Sequence, residues 1–332
     1  MNKIIVSIVV PVYNGSKTMV QCMESLLSQD YERDLYEIII VDDGSSDGTA
    51  SIAKQYSDKI ITHSKNLGLN KSRFEGMKIA SGGIIINTDA DVLLPRDTLS
   101  KVANFFSKNS DISALTGLLS KETSEKSFFG QYKNLYMNYI FRKLPERVSF
   151  LYGSINAVRR EAIELYPVGF DIGEDTSFGQ MLVKAGKKIA FLRNLEVMHL
   201  KKYTFFSFIK NDFSVPFYWA KIFIKYGGLK QLGRDKTGFA HSPKGQIISV
   251  ILAPFITLMV LLDLLGFLFL PSLPLIAVSA WAALNFDFIT FLIREKGVFF
   301  GLAAIFIAFF DNLVMASGIL CGFFTYLKGR KI

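Results

Sequence analysis

Ile84-Ile85-Ile86-Asn87-Thr88-Asp89-Ala90-Asp91 decides how the rest of the chain is read. Its β-branched residues predict a buried strand. The strand runs straight into two carboxylates separated by one residue. In an open parallel sheet, ligands sit beyond the carboxyl ends of the strands. Two Asp placed there can hold a divalent cation through oxygen, and the cation can hold a diphosphate. An Asp-x-Asp after a strand is also what a solvated turn carries, so the motif needs support from elsewhere.

Working back towards the N-terminus, Ile4 to Val10 reads as another buried strand, stopped by the turn Pro11-Val12-Tyr13-Asn14-Gly15. Ser16 is placed to cap a helix over Lys17 to Ser28, with Met19, Cys22, Met23, Leu26 and Leu27 on one face. Glu37 to Val41 is a further strand, ending in Asp42-Asp43-Gly44-Ser45-Ser46-Asp47-Gly48-Thr49 ahead of a helix to Tyr56. Ile60 to Thr62 is a short strand; Asn66-Leu67-Gly68-Leu69-Asn70 turns into a helix ending near Ala80. Alternating strands and helices predict a parallel sheet with helices on both faces. Two acidic strand ends, Asp42/Asp43 and Asp89/Asp91, then open on one crevice. Neither Gly-x-Gly-x-x-Gly nor Gly-x-x-x-x-Gly-Lys-Ser/Thr is present, which argues against dinucleotide and P-loop sites.

These motifs together, Val9-Val10-Pro11-Val12-Tyr13-Asn14, Val41-Asp42-Asp43-Gly44-Ser45-Ser46-Asp47-Gly48-Thr49, Asn66-x-Gly68 and Asp89-Ala90-Asp91, resemble the family 2 glycosyltransferases in order and spacing. The resemblance implies a GT-A fold: an α/β, Rossmann-like mixed sheet with helices on both faces. It assigns nucleotide contact to Asp43, with Asp42 close behind, and to Lys71 or Arg73 after the turn. Pro11, Tyr13 and Asn14 would wall the base or merely shape their turn. Asp91 becomes the expected ligand of a divalent cation, Mg or Mn, with Asp89 on the ribose or the metal. Asp47 is expected to do no more than cap its loop.

Further on, Thr98 to Phe106 reads as a helix and Leu115 to Leu119 as a strand. Phe128, Phe129, Tyr132, Leu135, Tyr136, Tyr139, Ile140 and Phe141 form a stripe at helical spacing, expected to be core before acceptor wall or membrane face. Leu151 to Ala162 resembles the family's second-half strand, which floors the donor-sugar site. Glu174-Asp175 then opens a helix over Thr176 to Ala185. A helix N-terminus favours acids by itself, but the matching family motif is Glu-Asp with the Asp as catalytic base. Asp175 therefore takes the base role and Glu174 a positioning one. His199 ends the pattern and is a candidate for the metal or the diphosphate, or a packed side chain.

Charge is unevenly placed. Of a net +9, residues 1–199 hold 24 Lys+Arg against 23 Asp+Glu, residues 200–245 nine against two, and residues 246–332 five against four. A basic segment just ahead of an apolar one is a membrane-surface signature and leaves nucleic acid out of the expected partners. Phe205 to Gly228 interleaves aromatics with Lys and reads as one or two amphipathic helices on the bilayer, broken near Pro216. The processive synthases' Gln-x-x-Arg-Trp is matched here by Gln231-Leu232-Gly233-Arg234-Asp235, without the Trp, which favours single-sugar transfer. The stretches 246–270, 273–293 and 297–327 are long enough to span a membrane. Asp263, Asp287 and Asp311 lie inside them and are functional candidates or helix-to-helix contacts. A cytosolic domain followed by three spans would put Lys328, Arg330 and Lys331 outside; a re-entrant last segment interrupted at Asp311-Asn312 would restore the usual positive-inside bias. Cys22 and Cys321 offer no disulfide framework or metal spacing. Met1 to Val12 is too short and too quickly ended by Pro11 for a signal peptide.

The expected organisation is a catalytic domain over 1–200, an amphipathic membrane-surface segment over 201–245 and a membrane domain over 246–332. The expected partners are a nucleotide-sugar donor, a lipid or lipid-linked acceptor and the bilayer, with the catalytic domain on the cytoplasmic side of the cell membrane. One carboxylate base implies direct displacement with inversion. Polyprenyl-phosphate glycosyltransferases are the nearest alternative, since a phosphate acceptor needs no base. A non-catalytic nucleotide-sugar-binding module and a processive synthase are the others.

Overall fold

Val6–Val12 (β1), Tyr36–Asp42 (β2), Lys59–Thr62 (β3) and Ile84–Thr88 (β4) are parallel neighbours in the order β3-β2-β1-β4. They belong to a computed structural model that describes residues 6–168, 173–226, 244–267 and 272–329. Strand order reverses between β1 and β4, which places the crevice of an open α/β sheet beyond the ends of β1, β2 and β4. The helices Ser16–Leu27 (α1), Thr49–Tyr56 (α2) and Leu69–Ile79 (α3) connect these strands. On α3, Gly76 is required: a Cβ there would sit 2.5 Å from Val9 and 3.0 Å from Val41. The helix thus lies flush on β1 and β2.

The sheet then becomes mixed. Val92–Leu93 (β5) and Thr98–Lys108 (α4) lead to Ile112–Leu119 (β6). Ile155–Arg159 (β8) runs antiparallel between β4 and β6. Lys188–His199 (β9) runs parallel to β6 through two register shifts and antiparallel to β5 and to Arg147–Val148 (β7). Glu174–Lys184 (α6) precedes β9. The inward residues of β1, β2, β4 and β6 are almost all buried, which explains their β-branched and Leu-rich composition.

Two compact units result: Met1–Glu125 with Leu144–Lys201, and Lys126–Lys143 with Lys202–Ile332. The second contains Phe128–Arg142 (α5), Phe205–Lys225 (α7), Lys244–Leu264 (α8), Ser272–Lys296 (α9) and Val298–Leu327 (α10). The aromatic stripe of α5 is core in this unit: Tyr132, Leu135, Tyr136, Ile140 and Phe141 are buried, and Phe288 of α9 meets the rings of Tyr132, Tyr136 and Tyr139. Gly318 and Gly322 of α10 lie so close to the carbonyls of Phe213 and Phe217 on α7 that a Cβ would come within 2.3 and 2.2 Å of them. Gly245–Leu264, Ser272–Lys296 and Val298–Leu327, at 20, 25 and 30 residues, are long and apolar enough to cross a membrane.

Several local expectations are corrected. β1 continues through Pro11 to Val12: a strand end tolerates the missing N–H, and Asp43 N–H donates to the Val12 carbonyl beyond it. Ser16 does not cap α1; it is the helix's first residue, and its own N–H donates to Asp47 Oδ2. α7 is one helix with Pro216 inside it, started by a Thr204–Ser207 capping box. α10 runs unbroken through Asp311 and Asn312, so nothing interrupts it there. Asp311 is buried, whereas Asp287 is largely exposed, 3.9 Å from Lys143. Gln231 to Asp235 lies outside the described residues.

Candidate active site

The Asp89–Asp91 turn is tied to the Glu174–Asp175 helix start by one side chain. Arg73, on α3, is fully buried; its Nη2 donates to Asp89 Oδ1 at 2.7 Å and its Nη1 to Glu174 Oε1. Its Nε has no partner among the described residues. The sequence offered Arg73 as a nucleotide contact; the structure uses both its terminal nitrogens to hold acids together. Its charge is secured in spite of burial, because Glu174 and Asp89 lie against it and hold the guanidinium well above its ordinary range.

Gly173, at φ +83°, turns the chain into α6 and places both acids in the first turn. Asp175 Oδ2 accepts from Gly153 N–H at 2.9 Å and Oδ1 from Thr176 N–H at 2.6 Å. Gly153 fits because a Cβ would lie 3.3 Å from Asp175 Oδ2 and 3.6 Å from Arg73 Nη2. Burial raises the pKa of Asp175, with Arg73 and the two N–H donors opposing. Burial also raises Glu174, against the pull of Arg73. A carboxylate with a raised pKa, held by backbone donors but not capped by a cation of its own, is suited to take up a proton.

On the other side of Arg73, Asp89 Oδ2 accepts from Ser154 Oγ at 3.3 Å. Asp89, Asp91 and His199 offer ligand atoms that all lie within 4.8 Å of one another. β5 pairs antiparallel with β9 through Val92 and His199, which brings the histidine beside the turn. His199 Nε2 is 3.7 Å from Asp91 Oδ1, and its Nδ1 accepts from Lys201 N–H. Desolvation pushes Asp91 up, opposed by His199. Hard carboxylate oxygens with one imidazole suit Mn²⁺ or Mg²⁺, so this donor set fits a divalent ion.

The β2 end is built differently. Asp43 Oδ1 accepts from Leu67 N–H at 2.8 Å and faces His63 Nδ1 at 2.7 Å; its Oδ2 accepts from Gly68 N–H at 2.8 Å. Burial would raise Asp43, but these donors outweigh it and hold the carboxyl below its usual value. Asp42 Oδ1 accepts from Ser45 N–H, while its buried Oδ2 is without a partner among the described residues. Gly44, at φ +76°, is indispensable, since a Cβ would meet the Lys65 backbone at 2.6 Å. Asn14 takes a positive φ of 52° and is held by Ser45 and Ser46; Tyr13 beside it is 52% exposed and Pro11 is buried. Asp47 caps the loop through Ser16 and Thr49. Lys71 is half-exposed, 3.8 Å from Glu75.

With this geometry in view, residues 7–166 match the family model described as Glycosyl transferase family 2. Over those residues the chain is similar to the family 2 glycosyltransferases. The mannosyltransferase PcManGT from Pyrobaculum calidifontis, solved with GDP-Man and Mn²⁺, superposes with a TM-score of 0.60 at 16% identity, covering 100% of this chain and 89% of that one. The fold is GT-A. Glycosyltransferase AglE of Haloferax volcanii is 35% identical over 91 residues, 26% of this chain and 30% of the relative. The poly(ribitol-phosphate) beta-glucosyltransferase of Bacillus spizizenii is 37% identical over 114 residues, 32% of this chain and 18% of the relative. The chain thus spans less than a third of the length of either curated relative.

Within the domain, α3 links the two ends. Gly68, its N-cap, donates to Asp43, and Arg73 farther along reaches Asp89 and Glu174. Sequence reading missed His63, and it gave Gly153 and Ser154 only as part of the stretch over Leu151 to Ala162, not as donors to Asp175 and Asp89. A signal for His63 existed: Thr62 pairs with Asp42 in the parallel register, so the next residues, His63 and Asp43, are neighbours.

Proposed function

We propose that the protein catalyses inverting, metal-dependent transfer of a single sugar from a nucleotide-sugar to a hydroxyl of a lipid or lipid-linked glycan. The observation that carries this is Asp175, held by two backbone N–H groups beside the Arg73-centred acids. Asp175 accepts the acceptor hydroxyl's proton as its oxygen attacks the anomeric carbon. The bond from that carbon to the nucleoside diphosphate breaks with inversion. Glu174 and Arg73 keep the base in place, and Asp43 organises the turn that receives the nucleotide. Asp91, Asp89 and His199 would hold a divalent cation. Such an ion, when bound, stabilises the negative charge of the departing diphosphate.

The apolar helices α8 to α10 support a membrane-bound acceptor, and the basic residues ahead of α8 support a catalytic unit on the cytoplasmic side of the cell membrane. GDP-mannose, UDP-glucose and UDP-N-acetylglucosamine, each with Mn²⁺ or Mg²⁺, are the donors to screen on the full chain in lipid nanodiscs. The expected result is release of nucleoside diphosphate that depends on the cation and is lost in Asp91→Ala. Cation-independent release, unchanged in that variant, contradicts the reading. Near-normal turnover of Asp175→Asn with a polyprenyl-phosphate acceptor would favour the phosphate-acceptor alternative.

A further inference from the structure

His63 is 7% exposed and lies between two acids from different elements. Its Nδ1 is 2.7 Å from Asp43 Oδ1 at the end of β2, and its Nε2 is 2.7 Å from Glu75 Oε2 on α3. An ionised carboxylate only accepts hydrogen bonds, so each contact requires a hydrogen on the ring nitrogen. A neutral imidazole has one such hydrogen. We propose that His63 is a positioning residue of the nucleotide end, held as a doubly protonated imidazolium that ties Asp43 to α3. This role rests on the glycosyltransferase reading of the site; the charge state does not.

The same Asp43 carboxylate accepts from Leu67 and Gly68, and the His63 N–H donates to the Asp42 carbonyl. His63 is therefore the cationic corner where the end of β3 meets the Asp43 and Leu67–Gly68 turns. The charged groups facing it are Asp43 from β2 and Glu75 from α3, with Lys71 reaching Glu75 from outside. Burial by itself would lower the ring's affinity for its second proton, and the two carboxylates more than reverse that. The proton therefore contributes fully below the ordinary histidine value of about 6.5 and is lost as pH rises through the raised folded value. Its loss leaves a ring lone pair against a carboxylate, and the turn at Leu67 and Gly68 loses its fixed acceptor.

The test uses the full chain in nanodiscs with ¹⁵N-labelled histidine. The chain has three histidines, and His63→Gln assigns the ring signals of interest. Ring shifts are followed with pH, alongside the affinities of UDP and GDP, each measured separately with Mn²⁺. Both His63 nitrogens should be protonated at neutral pH, and the affinity of whichever nucleotide binds should fall about tenfold as the ring titrates, the loss of one charge-assisted hydrogen bond. Glu75→Gln should move the ring titration and the affinity loss together to lower pH, with donor KM affected and kcat nearly unchanged. A singly protonated ring at neutral pH overturns the proposal, as does a nucleotide affinity that stays flat while the ring titrates. Failure of both nucleotides to bind at any pH takes down the glycosyltransferase reading and the role of His63 with it; the ring shifts then report the charge state alone.

Discussion

Arg73 in the sheet unit and Lys133 in the helical unit are both buried cations with more than one carboxylate to answer to, and they are housed in opposite ways. The acids around Arg73 stand at a strand end and a helix start, where backbone N–H groups are free. Gly153 and Thr176 donate to Asp175, Ser154 to Asp89, and Asp89 and Asp91 keep an exposed edge. Lys133 pairs with Asp212 in the middle of α7, near Asp311 in the middle of α10, where helical hydrogen bonding has already used the backbone donors. There Asp212 Oδ2 and Asp311 Oδ1 are without partners among the described residues. Strand ends supply both donors and an opening, which is what a reacting carboxylate needs. Helix interiors supply neither, and charges placed there join helices.

The sharpest break between the two clusters is catalytic. Asp175→Asn should reduce kcat by about a hundredfold or more, read as nucleoside diphosphate release, with little change in melting temperature. Next comes stability. Asp212→Ala removes the direct partner of the Lys133 ammonium and leaves it only the neighbouring Asp311; a broken buried pair costs about 3–5 kcal/mol, and thermal unfolding in nanodiscs should show a large part of it. Arg73→Met should cost activity as well as stability, since it strands the acids of the proposed site. A smaller effect is expected at the glycines of α10: Gly318→Ala or Gly322→Ala must push α7 away, at about 1–3 kcal/mol each for an overpacked contact, without altering donor affinity. The gentlest probe is pH. Asp175 must be ionised to act as base and burial raises it, so kcat/KM should climb with pH above the ordinary carboxylate range and then level; a flat profile there would remove Asp175 from the base role.

The fold was legible where the code is local. β-branched runs located β1, β2 and β4, and the apolar stretches located α8 to α10, because burial on both sheet faces and long unbroken apolar helices each leave a plain compositional mark. The acids at strand ends could be named from their motifs and from the family resemblance that those motifs carry. What could not be read were contacts that depend on register and on helix rotation. Arg73 looked like one of two interchangeable basic residues after a turn; only the rotation of α3 turns it inward and Lys71 outward. The aromatic stripe of α5 was visible, but not that it belongs with the C-terminal helices across the intervening Leu144–Lys201. Pro216 looked like a break because propensity was weighed without the neighbouring helix, and the interruption at Asp311-Asn312 was expected from the charge bias of the C-terminus, which the unbroken helix does not follow.

α3 is a rod fastened along its length. Gly76 beds it on β1 and β2, its first turn carries the loop that Asp43 grips, and Arg73 on the next turn grips the acids. No hinge separates the end that holds Asp43 from the residue that holds Asp89 and Glu174. On the proposed function, change in the Gly44–Asn66 segment, which includes α2 and β3, can alter which nucleotide is welcomed while the acid geometry stays put, so donor choice and reaction chemistry are free to diversify on separate schedules.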